Sequence, residues 1–310
     1  VWSAEPNWFE KGNQAYAKGD FKSAVGLFRT AIREEQQEVF AWFNLGNTLV
    51  QLKKYNLAIV SYRRAAEMAP QFVRPWALMG DLYFMHGDVG NAIVHYKRAI
   101  ELGDDSEHVR FYLGEASLQS GDFSEALKHF EQVLKENPDR IDAWFAMTEI
   151  YEKLEDYSEA RHLLEEAIRL SPAAGADVYV YLSRLYLREE NRKLAIRALE
   201  DASSLDPSNT GVRRQLAWLY QQDDAPFMAL FTLEQGLNAD PANDDLALDL
   251  AQILFNQKRY DEALDYYLKA WKTGNPSGRV GAENVGHIYF NAGDKEKAEL
   301  IYNQIRLARY

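Results

Sequence analysis

The sequence predicts an all-α solenoid of antiparallel helix pairs, and three observations carry that prediction. First, apolar and small residues recur at helical spacing: Trp42, Leu45, Gly46 and Leu49 share one face, and Ala58, Tyr62 and Ala65 share a second before Pro70 closes the stretch. Second, the same arrangement returns 34 residues later as Trp76, Met79, Gly80 and Tyr83, then Ala92, Tyr96 and Ala99. It is also present 34 residues earlier as Trp8 and Gly12, then Ala24, Phe28 and Ala31. Third, nine alanines (Ala24, Ala58, Ala92, Ala126, Ala160, Ala195, Ala229, Ala263 and Ala298) stand 34 or 35 residues apart. A period of this length marks stacked supersecondary units, each burying its apolar face against the next.

Each repeat begins with a helix carrying a small residue at a fixed place: Gly12, Gly46, Gly80, Gly114, Thr148, Ser183, Ala217, Ala251 and Gly286. A glycine inside a helix costs roughly 1 kcal/mol relative to alanine, so packing must offset it. The expectation is that this residue and the second-helix alanine let two backbones approach, while the large residues beside them fill the flanking volume. The repeats are placed near residues 5–38, 39–72, 73–106, 107–140, 141–175, 176–209, 210–243, 244–278 and 279–310, as one array over 1–310. Two turn-rich stretches, Ser171-Pro172-Ala173-Ala174-Gly175 and Thr273-Gly274-Asn275-Pro276-Ser277-Gly278, each carry one extra residue. The first suggests a bend at 171–176.

These residues resemble the tetratricopeptide repeat family, whose 34-residue helix–turn–helix units read W-x₂-L-G-x₂-Y, then A-x₃-F and a closing proline. The second repeat is nearly a consensus copy. The match weakens along the chain: the tryptophan position holds Arg110 in the fourth repeat, then Tyr179, Arg213, Ala247 and Ala282 in the last four. Closing prolines stand at Pro70, Pro138, Pro172, Pro207 and Pro241, with Gln36 and Asp104 in place of two others. The resemblance implies a right-handed superhelix whose inner, concave face holds a partner polypeptide.

Composition excludes several classes. Apolar content of 47% with 26% charged residues is that of a packed protein, and the net charge of −12 argues against nucleic acid. No apolar run is long enough to span a membrane. With no cysteine, disulfides, thiolate nucleophiles and zinc–thiolate sites are excluded. The six histidines (His86, His95, His108, His129, His162 and His287) show no metal-ligand spacing. Acid pairs such as Asp104-Asp105, Glu165-Glu166 and Asp244-Asp245 read as solvated or helix-terminal charges. The expectation is therefore no catalysis, no cofactor and no metal.

In the family, the first-helix positions beside the packed stripe contact partners. Here they are Phe9, Glu10, Asn13 and Tyr16; Phe43, Asn44 and Asn47; Arg74, Asp81 and Phe84; Phe111, Tyr112 and Glu115; Phe145, Glu149 and Glu152. The later repeats supply Tyr181, Arg184 and Arg188; Arg214, Gln215 and Trp218; Asp249, Gln252 and Phe255; Asn284, His287 and Phe290. An aromatic beside a polar group in almost every repeat is the make-up of peptide grooves, although rings packing between adjacent first helices account for the same pattern. Acids dominate the first five repeats, and Arg184, Arg188 and Arg214 form a basic band in repeats six and seven. The expected partner is basic toward the former and acidic toward the latter. The family's clamp for chaperone tails is not matched, because Phe9 and Leu78 occupy two of its basic positions beside Asn13, Asn44 and Arg74.

The expected function is a non-enzymatic protein-binding scaffold. A tethering module of a bacterial cell-envelope or secretion assembly, and the regulatory array of a larger enzyme, are the alternatives. A first residue that is not methionine suggests a cleaved leader or a fragment of a longer chain, and favours the bacterial periplasm over the cytoplasm. The last helix, near Lys295 to Arg309, is expected to leave Ile301, Ile305 and Leu307 uncovered, a surface for self-association.

Overall fold

A computed structural model describes residues 6–308; the expected start near Glu5 and the last turn at Arg309 and Tyr310 lie outside the described residues. Eighteen α-helices and no strand occur among the described residues. The chain divides between Asp156 and Tyr157 into two compact units. The N-terminal unit holds α1 (Trp8–Ala17) and α2 (Phe21–Arg33), α3 (Glu38–Gln51) and α4 (Tyr55–Met68), α5 (Arg74–Met85) and α6 (Val89–Glu101), α7 (Glu107–Ser120) and α8 (Phe123–Glu136), then α9 (Ile141–Lys153). The C-terminal unit holds α10 (Tyr157–Leu170), then α11 (Ala176–Arg188) and α12 (Arg192–Leu205), α13 (Thr210–Gln222) and α14 (Pro226–Ala239), α15 (Asp244–Asn256) and α16 (Tyr260–Lys272), α17 (Pro276–Asn291) and α18 (Lys295–Leu307). Within each unit every helix packs on the next, and first helices also touch the first helix of a neighbouring pair, as α7 touches α5 and α9. Each unit is thus an all-α solenoid.

The helix ends follow local chemistry. Asp20, Asp88, Asp122 and Asp294 cap second helices by accepting the backbone N–H of Ser23, Asn91, Glu125 and Lys297. The turn inside each pair contains one left-handed residue, and these residues repeat at the period of the alanines: Gly19, Lys53, Gly87, Gly121, Glu155, Glu190, Asp224, Lys258 and Gly293. Five of these nine are not glycine, so those turns carry backbone strain.

The interior refines the expected role of the small residue. A Cβ on Gly46 would lie 2.5 Å from the Tyr62 ring, and one on Gly80 2.6 Å from Tyr96. Gly12 faces Phe28, Gly114 faces Phe130 and Gly286 faces Tyr302 in the same way. The glycine therefore opens a socket for a ring four residues beyond the alanine. Where the first helix carries Ser183 or Ala217, the ring position holds fully buried Leu199 or Leu233 instead, whereas the eighth repeat keeps a buried ring, Tyr267, with Ala251, and that ring lies against Gly281 of α17.

The tryptophan position shares one hydrogen bond between the fifth and seventh repeats. The Trp144 indole N–H donates to the Pro138 carbonyl at 2.9 Å. Arg213, 7% exposed, donates from Nε to the Pro207 carbonyl at 3.1 Å, the same six-residue step back. Its flat guanidinium takes the place and the hydrogen bond of an indole. Gly236 makes room for it, since a Cβ there would lie 2.8 Å from Arg213 Cδ.

Two expectations change. Part of the second turn-rich stretch is helix: α17 begins at Pro276, capped by Asn275, whose side chain accepts the Ser277 N–H. Gly278 in its first turn lies directly against the backbone of Tyr267, Ala270 and Trp271. In α18, Ile301 and Ile305 are buried rather than uncovered, and the Trp271 indole donates to the Ile305 carbonyl at 3.0 Å. Leu307 stays exposed, as does Leu300.

Candidate functional site

Two first helices, α1 and α3, and the second helix α4 meet in a polar seam in the N-terminal unit. Tyr62 O–H donates to Asn47 Oδ1 at 2.8 Å, Asn47 Nδ2 to Asn44 Oδ1 at 3.5 Å, and Asn44 Nδ2 to Asn13 Oδ1 at 2.8 Å. Every step runs the same way, so the relay ends on the Asn13 amide nitrogen, which makes no hydrogen bond among the described residues. Tyr16, edge-on to Phe21 at 5.4 Å, joins these three asparagines around a recess of about 130 Å³. A larger hollow of about 600 Å³ adjoins it, lined in part by Tyr16, Asn47, Arg74, Asp81 and His108. Asp81 accepts from Tyr96 O–H at 2.8 Å and His108 Nε2 at 2.9 Å. That hydrogen bond holds the His108 imidazolium above its ordinary pKa. Arg74 is exposed and forms no ion pair among the described residues.

The aromatic positions divide. Phe43 and Phe111 are buried, packed on Tyr62 and Phe72 and on Phe130 respectively, so their faces belong to the core. Phe9 is half-buried against Phe28. Phe84 and Tyr112 stack edge-on at 5.6 Å, and Tyr112 also meets His108. Phe145 is half-buried. Glu115 has its pKa raised, first by burial and then by Glu149 and Asp142, so negative potential concentrates here. Glu149 is exposed and pairs with Lys153 at 3.2 Å.

In the C-terminal unit, Arg184 lies over the Tyr181 ring at 4.1 Å and Arg188 over Tyr157 at 5.2 Å. Arg214 donates to Asp249 at 2.5 Å and to Asp245 at 3.0 Å. Its charge is matched in place by α15, which removes one of the three cations behind the expected acidic contact. Trp218 is 55% exposed and borders a recess of about 480 Å³. Phe255 packs on Tyr260 and Tyr267. His287 is exposed beside Tyr302, and Phe290 is exposed. Sequence reasoning missed His108, Asp245 and Tyr62 as partners of these positions. Each stands about half a repeat or one repeat away from its partner, a separation that the period itself could have flagged.

Paired helices, glycine sockets and a polar first-helix face define a helical-repeat protein. The family model described as the Cilia and flagella-associated protein 70 C-terminal domain matches residues 72–283, and the tetratricopeptide repeat model matches residues 39–72. The chain belongs to the tetratricopeptide repeat family, its longer match being to that C-terminal domain. No curated protein matches the chain. Among solved structures, the C-terminal part of a repeat-containing protein from Cytophaga hutchinsonii is similar at 15% identity and TM-score 0.64, covering 78% of this chain and 99% of that one. A tetratricopeptide repeat protein from Parabacteroides merdae is similar at 16% identity and TM-score 0.52, covering 80% and 97%. A chain of the Naa15/Naa10 structure bound to HypK-THB is similar at 15% identity and TM-score 0.53, covering 97% of this chain and 50% of that one. Among the described residues no helix is long and apolar enough to cross a membrane.

Proposed function

We propose that the chain is a non-enzymatic scaffold that holds an extended partner polypeptide along its first-helix, concave face. The observation that carries this is the directed relay Tyr62–Asn47–Asn44–Asn13, which presents amide donors beside an open hollow. Carboxamides aligned by one another meet peptide carbonyls without first paying to become ordered. The acidic cluster of Glu115, Glu149 and Asp142 favours basic residues in the segment facing the N-terminal unit. An acidic residue of the partner is assigned to the C-terminal unit, where Arg184 lies over Tyr181 and Arg188 over Tyr157. The similar fold in the Naa15/Naa10 structure is described as bound to HypK-THB.

Peptides selected from a display library against the whole chain test this. Selected peptides should lose about tenfold or more in affinity on Asn44→Ala, which interrupts the relay, given about 1–2 kcal/mol for a buried polar contact left unpaired. Peptides that bind the Asn44→Ala and Glu115→Gln variants as tightly as the parent would put the binding face elsewhere.

A further inference from the structure

Four aromatic rings on the first helices, three of them half-buried, lie beneath one of the protein's own cations. Lys11 lies 4.6 Å over Trp8, Arg184 4.1 Å over Tyr181, Lys297 4.1 Å over Tyr289 and Lys295 5.9 Å over Phe290. Arg184 reaches a ring three residues earlier on its own helix. Trp218 is the most exposed tryptophan among the described residues and has Arg214 one turn before it on α13. Yet Arg214 turns away, drawn to Asp249 and Asp245 on α15, and no cation lies over the Trp218 ring among the described residues. Two carboxylates against one guanidinium leave an excess negative charge beside a bare indole face. Gln215, Gln252 and the apolar Ile253 complete the recess.

We propose that this recess is a subsite for one cationic side chain, arginine or lysine, of the bound polypeptide. The assignment deepens the groove reading above and rests on it. An incoming cation stacks on the indole while the excess carboxylate charge of Asp245 and Asp249 neutralises it. The carboxamides of Gln215 and Gln252 accept its remaining N–H groups. An acidic side chain is disfavoured here, because the neighbouring arginine is already satisfied.

The test needs no known partner. In protein labelled with ¹⁵N-tryptophan, the Trp218 indole resonance is identified by its disappearance in Trp218→Phe. It is then titrated with Nα-acetyl-arginine methylamide and with the matching glutamine and glutamate derivatives. The arginine probe is expected to shift the resonance saturably and to bind about fivefold or more tightly than either other probe. The double variant Asp245→Asn/Asp249→Asn, its fold checked by circular dichroism, should reverse the order and favour glutamate. Equal responses to all three probes, no response to arginine, or an unchanged order in the double variant would overturn the subsite. Display-selected peptides keep the two ideas apart: if they still depend on Asn44 while the arginine probe fails, the groove stands and the subsite falls.

Discussion

Replacing Gly46 by alanine tests the socket that five of the nine repeats share. The added Cβ would lie 2.5, 2.6 and 3.0 Å from three atoms of the Tyr62 ring, against ordinary contact beyond about 3.4 Å. Tyr62 is 1% exposed and tied to Asn47 through its hydroxyl, so the ring cannot swing aside without cost. Overpacking of this kind costs about 1–3 kcal/mol, and loss of the Tyr62–Asn47 hydrogen bond adds about 1 kcal/mol. The gain in helix propensity returns about 1 kcal/mol. Gly46→Ala should therefore destabilise by about 2 kcal/mol. Tyr62→Leu alone should cost about 2–3 kcal/mol, through the void it leaves. The double variant recreates the Ala217 and Leu233 combination of the seventh repeat, so its cost should fall about 1.5–2 kcal/mol short of the sum. Urea unfolding followed by circular dichroism reads the totals. Amide exchange within α3 and α4 reads the local effect, because arrays can open repeat by repeat. Costs that add within about 0.5 kcal/mol would refute the socket.

Other consequences are smaller but equally specific. Glu190 holds φ 58° in a turn where other repeats use glycine; Glu190→Gly should stabilise by about 0.5–1 kcal/mol in thermal unfolding, since an L-residue pays roughly that to be left-handed. Gly236→Ala should destabilise by about 1–3 kcal/mol by crowding Arg213 and Leu246, and Arg213→Ala should relieve part of it in a double-mutant cycle. Histidine titration by NMR should find His108 above the ordinary value and His95 and His129 below it, the latter two through burial. The His108–Asp81 contribution is full below about pH 6.5 and fades as pH rises through the folded value, whereas those of His95 and His129 are full above about 6.5 and fade as pH falls. Asp81→Asn should bring His108 down.

The repeat length and the helix pairing are legible in the sequence because each repeat solves the same packing problem with the same residue sizes. That the glycine's nearest neighbour is a ring is not legible, because period alone ranks alanine and ring equally. At the candidate site, the asparagines and Trp218 stand out as polar or bulky residues beside the packed stripe. Whether a ring faces solvent depends on its neighbours, and so Phe43 and Phe111 look like Trp218 in one dimension yet are buried. The pairing of Arg214 was hidden for the same reason, because its acids belong to the next pair of helices.

Where Arg213 stands in the tryptophan position, it shares with Trp144 a planar group that donates a hydrogen bond to a carbonyl six residues back. An outline and a donor are common to Arg213 and Trp144, while hydrophobicity is not. A search profile that rewards tryptophan at this place will therefore pass over genuine copies of the motif, and scoring arginine there as an equivalent should recover divergent arrays that composition alone conceals.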